Sequence, residues 1–447
     1  MIYVIVGSGA REHVVAEQLA LSGEVTEIIA IPGNPGIEEE RLRNGRLVEC
    51  IPIGADNISE ILKFLCDRFP KRVERKDVII FVGSEDVLAA GLANLANAEG
   101  FKVYGHERNA MELEANKSFA QRFMEEFKIP HARGEIFTEV EPALDFIKNE
   151  LGGRGVVKWP YLVKGKGAFP CEDILGAKAT LEELLTGDGL FKTPPNRKRE
   201  VVVQEFLIGY EVSLQAVFAG DSYVSFDMSQ DHKRELDGDK GRMTGGMGAF
   251  SPTPFFSETE HASLRRQIFE PILNGCSARC ITLCGTVFPG IMMTKEGPRV
   301  LEINMRNPDP ESEVTLPRLE TDLALVLHAA VNKQLDSLPP LHWDPRHVAG
   351  VVMASGGYPG PYYTGKVISG LEQVKSIPGV KVYHAGTASF GSQTRTNGGR
   401  VLVVTAIRPS LQDALAQANH VVQCVIDFDG KTFRRDIGQK ALSQYVD

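Results

Sequence analysis

Short apolar runs alternate with amphipathic stretches through the first hundred residues. Residues 2–6 are a β-branched run that ends at Gly7-Ser8-Gly9-Ala10-Arg11-Glu12-His13, and Val14, Val15 and Leu19 then recur at helical spacing. Apolar runs at 28–31, 78–82 and 102–104 each stop at a polar or glycine-containing turn, and Leu88, Leu92 and Leu95 mark a helix between the last two. Short apolar strands alternating with helices predict a parallel sheet covered on both faces. A helix is expected over 112–127, closed by Ile129-Pro130. A mixed stretch follows, with strands at 155–158 and 201–204, a Gly/Lys loop at 164–167, a helix near 180–186 and a polar, turn-rich loop at 193–199. Strands at 211–219, 222–227, 286–293 and 299–304 surround a helix at 259–284. The last hundred residues read as a small α+β unit with strands at 348–354 and 401–405 and a helix near 410–425.

Composition narrows the function classes. The 447 residues carry 49 Lys+Arg against 58 Asp+Glu, a net charge of −9. That balance argues against general nucleic-acid binding, which needs a cationic face. No apolar run reaches the ~20 residues of a membrane span. The N-terminus reads as a buried strand and not as a signal peptide. Seven cysteines in such a chain are expected to be reduced thiols in the cytoplasm.

Several motifs bear on chemistry. Gly7-Ser8-Gly9 follows a strand, but Glu12 stands where the dinucleotide fingerprint needs a third glycine, and no acid is placed to hold a ribose, so a nicotinamide or flavin site is not expected. Two readings of the turn stay open: an anion-binding helix start, or a tight turn without ligand. Gly360 to Lys366 has P-loop spacing, yet Val367 replaces the metal-binding hydroxyl, so the match is coincidental. Cys276, Cys280 and Cys284 are spaced to share one helix face and are read as buried apolar packing and not as metal ligands. In a strand, Glu302, Asn304 and Arg306 point one way. Oxygen donors from Glu302 and Asn304 suit Mg²⁺, and the polar run Asn307, Asp309, Glu311 and Glu313 favours that reading over a solvated face. Residues 229–234 and 244–248 form a second polar, glycine-rich region able to donate N–H groups to anions.

Taken in order, these segments resemble the phosphoribosylamine–glycine ligase family of ATP-grasp enzymes. The likeness covers Gly7 to His13, Pro32-Gly33-Asn34-Pro35-Gly36, residues 229–234 with Asp237-Gly238-Asp239 and 244–249, and Glu302 to Arg306 with Asp309-Pro310-Glu311. It continues through Gly356-Gly357-Tyr358-Pro359-Gly360 and Thr396-Asn397-Gly398-Gly399-Arg400. The resemblance implies an N-terminal open parallel α/β domain (1–111), an ATP-grasp core (112–132 and 200–335), a mobile lid (133–199) and a small α+β C-terminal domain (336–447). It implies ATP and Mg²⁺ (or Mn²⁺) as cofactors, glycine and 5-phosphoribosylamine as substrates, no nucleic-acid or membrane partner, and a cytoplasmic monomer or weak homo-oligomer without further pathway domains.

Residue roles follow from the same likeness. Lys117, Lys158 and the loop Gly165-Lys166-Gly167 are expected at the nucleotide phosphates, Glu205 and Leu207 at adenine, and Glu211 at the ATP ribose. Glu302 and Asn304 would hold the metal. Arg306, Asp231 and Lys233 are the catalytic candidates, with Arg306 on the glycine carboxylate. His232, Gly245, Gly246, Asp309, Gly9, Arg11, Glu12, Glu85 and Arg400 are expected around the phosphorylated amine. The chain departs from the family at Trp159 to Lys164, which replace a small, flexible segment, and at Ser84 and Pro308. The competing readings are an ATP-grasp ligase for a different amino acid or glycosylamine, and a nucleotide-binding relic.

Overall fold

The computed structural model describes residues 1–163, 167–186, 191–254 and 256–443. Five parallel strands open the chain: β1 (Ile2–Gly7), β2 (Glu27–Pro32), β3 (Glu49–Cys50), β4 (Val78–Val82) and β5 (Lys102–Tyr104), in the order β3-β2-β1-β4-β5. Residues 3–6 and 78–82 are buried, as continuous apolar runs in a two-faced sheet must be. Strand order reverses between β1 and β4, where open α/β sheets place ligands beyond the strand ends. Val6 pairs with Val82, so the turns Gly7-Ser8-Gly9 and Gly83-Ser84-Glu85 lie side by side.

β6 (Gly134–Phe137), β7 (Gly155–Lys158), β8 (Ala168–Cys171) and β9 (Val201–Glu205) form an antiparallel sheet ordered β6-β9-β7-β8. β9 bonds to both β6 and β7, so this sheet extends past residue 199 to Glu205. The bulky residues that depart from the family belong to this unit's core. Trp159 is fully buried, its ring edge-on to Tyr161 at 5.6 Å and 5.7 Å from the Arg199 guanidinium, while the Tyr161 hydroxyl donates to the Lys198 carbonyl at 2.6 Å. Trp159→Ala should therefore cost about 3–5 kcal/mol within this unit. Hydrogen exchange would show amide protection falling in Val140–Asn149, Ile174–Leu185 and β9 with β1 and β4 unchanged; unaltered exchange in β9 would contradict a core role for Trp159.

The remaining strands are β10 (Tyr210–Ser213), β11 (Ala216–Ala219), β12 (Ser222–Ser225), β13 (Gln230–Asp231), β14 (Arg234–Leu236), β15 (Lys240–Met243), β16 (Gly248–Ser251), β17 (Cys284–Thr294), β18 (Gly297–Asn304), β19 (His347–Ala354), β20 (Val380–His384), β21 (Thr387–Phe390), β22 (Gln393–Thr396) and β23 (Arg400–Arg408). The long β17 organises the central sheet, pairing with β10, β11 and β18. The C-terminal sheet runs β13-β16-β19-β23-β20, so two strands expected in the core are built into it. β14–β15 and β21–β22 are separate hairpins.

Two local expectations are corrected. The helix expected over 112–127 is two helices, Arg108–Ala115 and Lys117–Glu126, parted at Asn116. Asn116 is extended, and its side-chain oxygen accepts the Phe119 N–H at 3.2 Å, an N-cap that restarts the helix. The helix Glu258–Ala278 stops before Cys280, which has φ +55°, and Cys284 opens β17. The three cysteines share no helix face; only Cys276 is buried, Cys280 is exposed and Cys284 is half-buried.

Candidate functional site

A groove of about 530 Å³ lies between the four-stranded β6–β9 unit and the central sheet, lined by Val156, Lys158, Glu205, Phe206, Leu207, Glu211, Asp231, Lys233, Met292, Leu301 and Glu302 among others. A smaller pocket of about 100 Å³ adjoins it through Lys158, Leu301 and Glu302. Glu85, Glu114, Lys117, Gly167, Asn304 and Arg306 line that pocket. Lys117 reaches it because the Asn116 cap starts a new helix there. Gly165 and Lys166 lie outside the described residues.

β18 supplies the floor. Gly290 of β17 faces Glu302 while Ile291 faces Val300, so Leu301 is an extra residue, a β-bulge. The bulge turns the Leu301 carbonyl toward the pocket, where it accepts from Lys158 Nζ at 2.8 Å. Asn304 gives its amide nitrogen to the Phe288 carbonyl at 3.2 Å, which leaves its oxygen as the atom available to a cation. Burial alone would raise the Glu302 carboxyl, but Lys233, Lys158, Lys117 and Arg306 outweigh burial and hold it at about 2. Burial draws the Lys158 ammonium down to about 8 despite Glu302, and lowers Lys117 too. Lys233 bridges two acids, 3.3 Å from Glu211 and 3.9 Å from Glu302, which raise its proton affinity against burial.

Among the described residues, no three His, Cys, Asp or Glu side chains converge to hold a metal. An ionised Glu302 beside one Asn304 oxygen is an incomplete, all-oxygen shell. It fits a hard divalent cation whose other ligands are water and phosphate.

Arg306 lies past the end of β18, its Nε 3.0 Å from Glu85 and 3.2 Å from Glu114. The Nε–H is aligned with neither carboxylate, so both contacts are ion pairs without a hydrogen bond. Arg11 donates from NH1 to the Asn307 carbonyl at 2.9 Å, tying the first helix to the segment after β18. Arg400 reaches the same place from β23, donating to the carbonyls of Gly245 and Asp309 at 2.9 and 3.0 Å and pairing with Asp309 Oδ1 at 3.0 Å. The three guanidiniums thus meet where the N-terminal sheet, the central sheet and the C-terminal sheet join. Gly246 has φ +117°, and a Cβ there would lie 2.8 Å from Asp231 Oδ1, so only glycine lets this loop pass.

Two of the residues expected at the phosphorylated amine, Glu12 and His232, are engaged within the fold. Both carboxylate oxygens of Glu12 are taken, one by the Gly9 N–H at 2.6 Å and one by Arg11 Nε at 2.9 Å, so Glu12 caps the helix Ala10–Ala20. A Cβ on Gly83 would collide with Glu12, which is why that turn needs glycine. The His232 ring accepts from the Gly438 N–H at 3.0 Å through Nε2 and faces the Gly248 carbonyl through Nδ1. Burial and Arg434 lower it to about 4. It is a neutral tether for the chain's last turn, with no ring nitrogen left for a ligand. The sequence reading missed Glu114, the Leu301 bulge and Tyr358, whose hydroxyl accepts the Gly245 N–H at 3.1 Å. Tyr358 and Leu301 lie within segments that the sequence singles out, Glu114 in none of its motifs.

A nucleotide-sized groove between a four-stranded lid sheet and a central antiparallel sheet, ending in lysines, a carboxylate and an amide, defines an ATP-grasp protein. The solved biotin carboxylase from Campylobacter jejuni shares this fold, with a TM-score of 0.68 at 13% identity, covering 100% of this chain and 95% of that one. The chain belongs to the phosphoribosylglycinamide synthetase family. Models of that family's N domain, ATP-grasp (A) domain and C domain match residues 1–114, 115–312 and 348–440. The phosphoribosylamine–glycine ligases of Allochromatium vinosum and Escherichia coli strain K12 are 38% and 36% identical, each over 99% of both chains. The chain is also 37% identical to the chicken trifunctional purine biosynthetic protein adenosine-3, over 98% of its own length and 42% of that protein's. The solved phosphoribosylamine–glycine ligase from Thermotoga maritima superposes with a TM-score of 0.81 at 27% identity, covering 98% of this chain and 100% of that one.

Proposed function

We propose that this protein is an ATP-dependent carbon–nitrogen ligase. It joins glycine to 5-phosphoribosylamine through a glycyl phosphate and gives glycinamide ribonucleotide, ADP and phosphate. The reading rests on one observation above others: the groove runs into a pocket where Lys117, Lys158 and Arg306 surround Glu302 and Asn304. The chemistry requires a glycine carboxylate to approach an anionic γ-phosphate, so the site must neutralise both. Glu302 and Asn304 would hold Mg²⁺ or Mn²⁺, which supplies charge neutralisation at the transferring phosphoryl group.

The chain's own residues do the rest. Lys117 and Lys158 face the phosphates, Glu211 the ribose and Glu205 to Leu207 the adenine. Arg306 receives the glycine carboxylate. Arg11 and Arg400 hold the phosphate of the amine where the three units meet. Asp231, buried beside Glu311 and therefore raised in pKa, borders the amine. All seven cysteines are unpaired and no described helix is long and apolar enough to cross a membrane; we place the enzyme in the cytoplasm.

ADP release should require glycine and freshly made phosphoribosylamine together, with glycinamide ribonucleotide detected by mass. Release with another amino acid in place of glycine would favour a ligase of different specificity. A pH dependence also follows. Lys158 loses its charge as pH rises through about 8. In the free enzyme kcat/KM for ATP should fall above that pH, and Lys158→Arg should move the fall upward. A wild-type profile flat to pH 10 would remove Lys158 from the phosphates.

A further inference from the structure

The small pocket holds two groups of charges. Lys117 and Lys158 surround Glu302, while Arg306 pairs with two acids, Glu85 and Glu114; Glu85 also senses Arg11 and Arg400, and Glu114 senses Lys117. Glu85 comes from the turn after β4, and Glu114 from the helix Arg108–Ala115. One Glu114 oxygen, Oε2, accepts the Met305 N–H at 2.6 Å and is fixed there. The other, Oε1, has only the unaligned Arg306 Nε at 3.2 Å. A carboxylate oxygen that accepts no hydrogen bond, on a buried residue in the wall of a small pocket, can take one from a cation bound there.

We propose that Glu114 accepts the α-ammonium of the amino-acid substrate, so that the pocket reads a small zwitterion and discriminates against plain carboxylic acids of the same size. The inference rests on the ligase reading above and assigns a residue which that reading left without a role. A zwitterion presents its carboxylate to Arg306 and to the metal-facing residues, and its ammonium to Glu114 Oε1 in the same pocket. The charge balance agrees. Arg306, Arg11 and Arg400 draw the Glu85 carboxyl down to about 2 against burial, while burial and Glu85 push Glu114 up to about 7 against Arg306, so a further cation beside Glu114 would favour its charged form. Leu113 and Ile303 line the same pocket and leave little room for a side chain on the substrate.

The test compares glycine with glycolate, which keeps the carboxylate and replaces the ammonium by a hydroxyl. Glu114→Gln retains an acceptor for the Met305 N–H and so preserves the local fold. In this variant the KM for glycine should rise about tenfold, the loss of one charge-assisted hydrogen bond. The inhibition constant of glycolate and the KM for ATP should stay within about twofold. A glycine KM that does not move, or one that rises together with the glycolate constant, would overturn the assignment; the latter would make Glu114 a general support of the pocket. Glu114→Asp, which keeps the charge, should recover part of the discrimination, and no recovery would count against it. Wild-type protein that does not turn over glycine at all would instead overturn the ligase reading.

Discussion

Glu302→Ala should lower turnover by about a thousandfold or more while the protein stays folded, as the metal site proposed at Glu302 and Asn304 requires. Glu302 projects into the pocket and anchors no secondary structure. Its removal strands positive charge: Lys117, Lys158 and Lys233 share this carboxylate as a counter-ion. Nucleotide without metal should therefore still bind, held by Lys117 and Lys158, which lose their main counter-charge, while Lys233 keeps Glu211 at 3.3 Å. ADP release and calorimetric titration of ATP with and without Mg²⁺ would separate the two effects. A fully active variant would end the assignment of Glu302 to the metal.

Arg400→Ala should raise the KM for the phosphorylated amine by about thirty- to a hundredfold, the usual cost of truncating one member of a buried charge pair at a binding site. The KM for ATP should move by less than about threefold, since Arg400 lines neither the groove nor the small pocket. The substitution also leaves Asp309 without its ion pair and the Gly245 carbonyl without its donor. Arg400→Lys is the companion variant, keeping the charge while losing the fork. Steady-state kinetics with each substrate varied in turn checks this; an ATP-selective defect would place Arg400 elsewhere.

The elements set by strong apolar periodicity were legible in the chain. β1, β4 and β5 match their runs within a residue or two, because both faces of that sheet are buried and, Lys102 at the start of β5 and Gly7 at the end of β1 apart, its positions are apolar. The groups that share the pocket were legible only as motifs. Sequence alternation puts Glu302, Asn304 and Arg306 on one face, but the bulge at Leu301 and the end of β18 at Asn304 do the actual aiming. Neither has a local signal. Glu12 and His232 stand in motifs expected at substrate and also serve the fold as a cap and a tether, since polar residues serve backbone and ligand with the same atoms. Glu114 was invisible for the converse reason. It sits in an ordinary helix-forming stretch, and only the tertiary approach of Arg306 and Met305 gives it chemistry. The split of the expected helix at Asn116 was readable in principle, since asparagine is a good N-cap.

The sharing of β13 and β16 with the C-terminal sheet has a practical consequence for dissecting the molecule. A fragment cut at the boundary expected near 335 would carry those two strands away from β19, baring a strand edge on each product. Open edges of this kind recruit other chains. Such fragments should precipitate on expression and regain solubility only when the two halves are co-produced. The β6–β9 unit, whose four strands pair only among themselves, is by contrast the piece that a protease could release or an engineer could exchange.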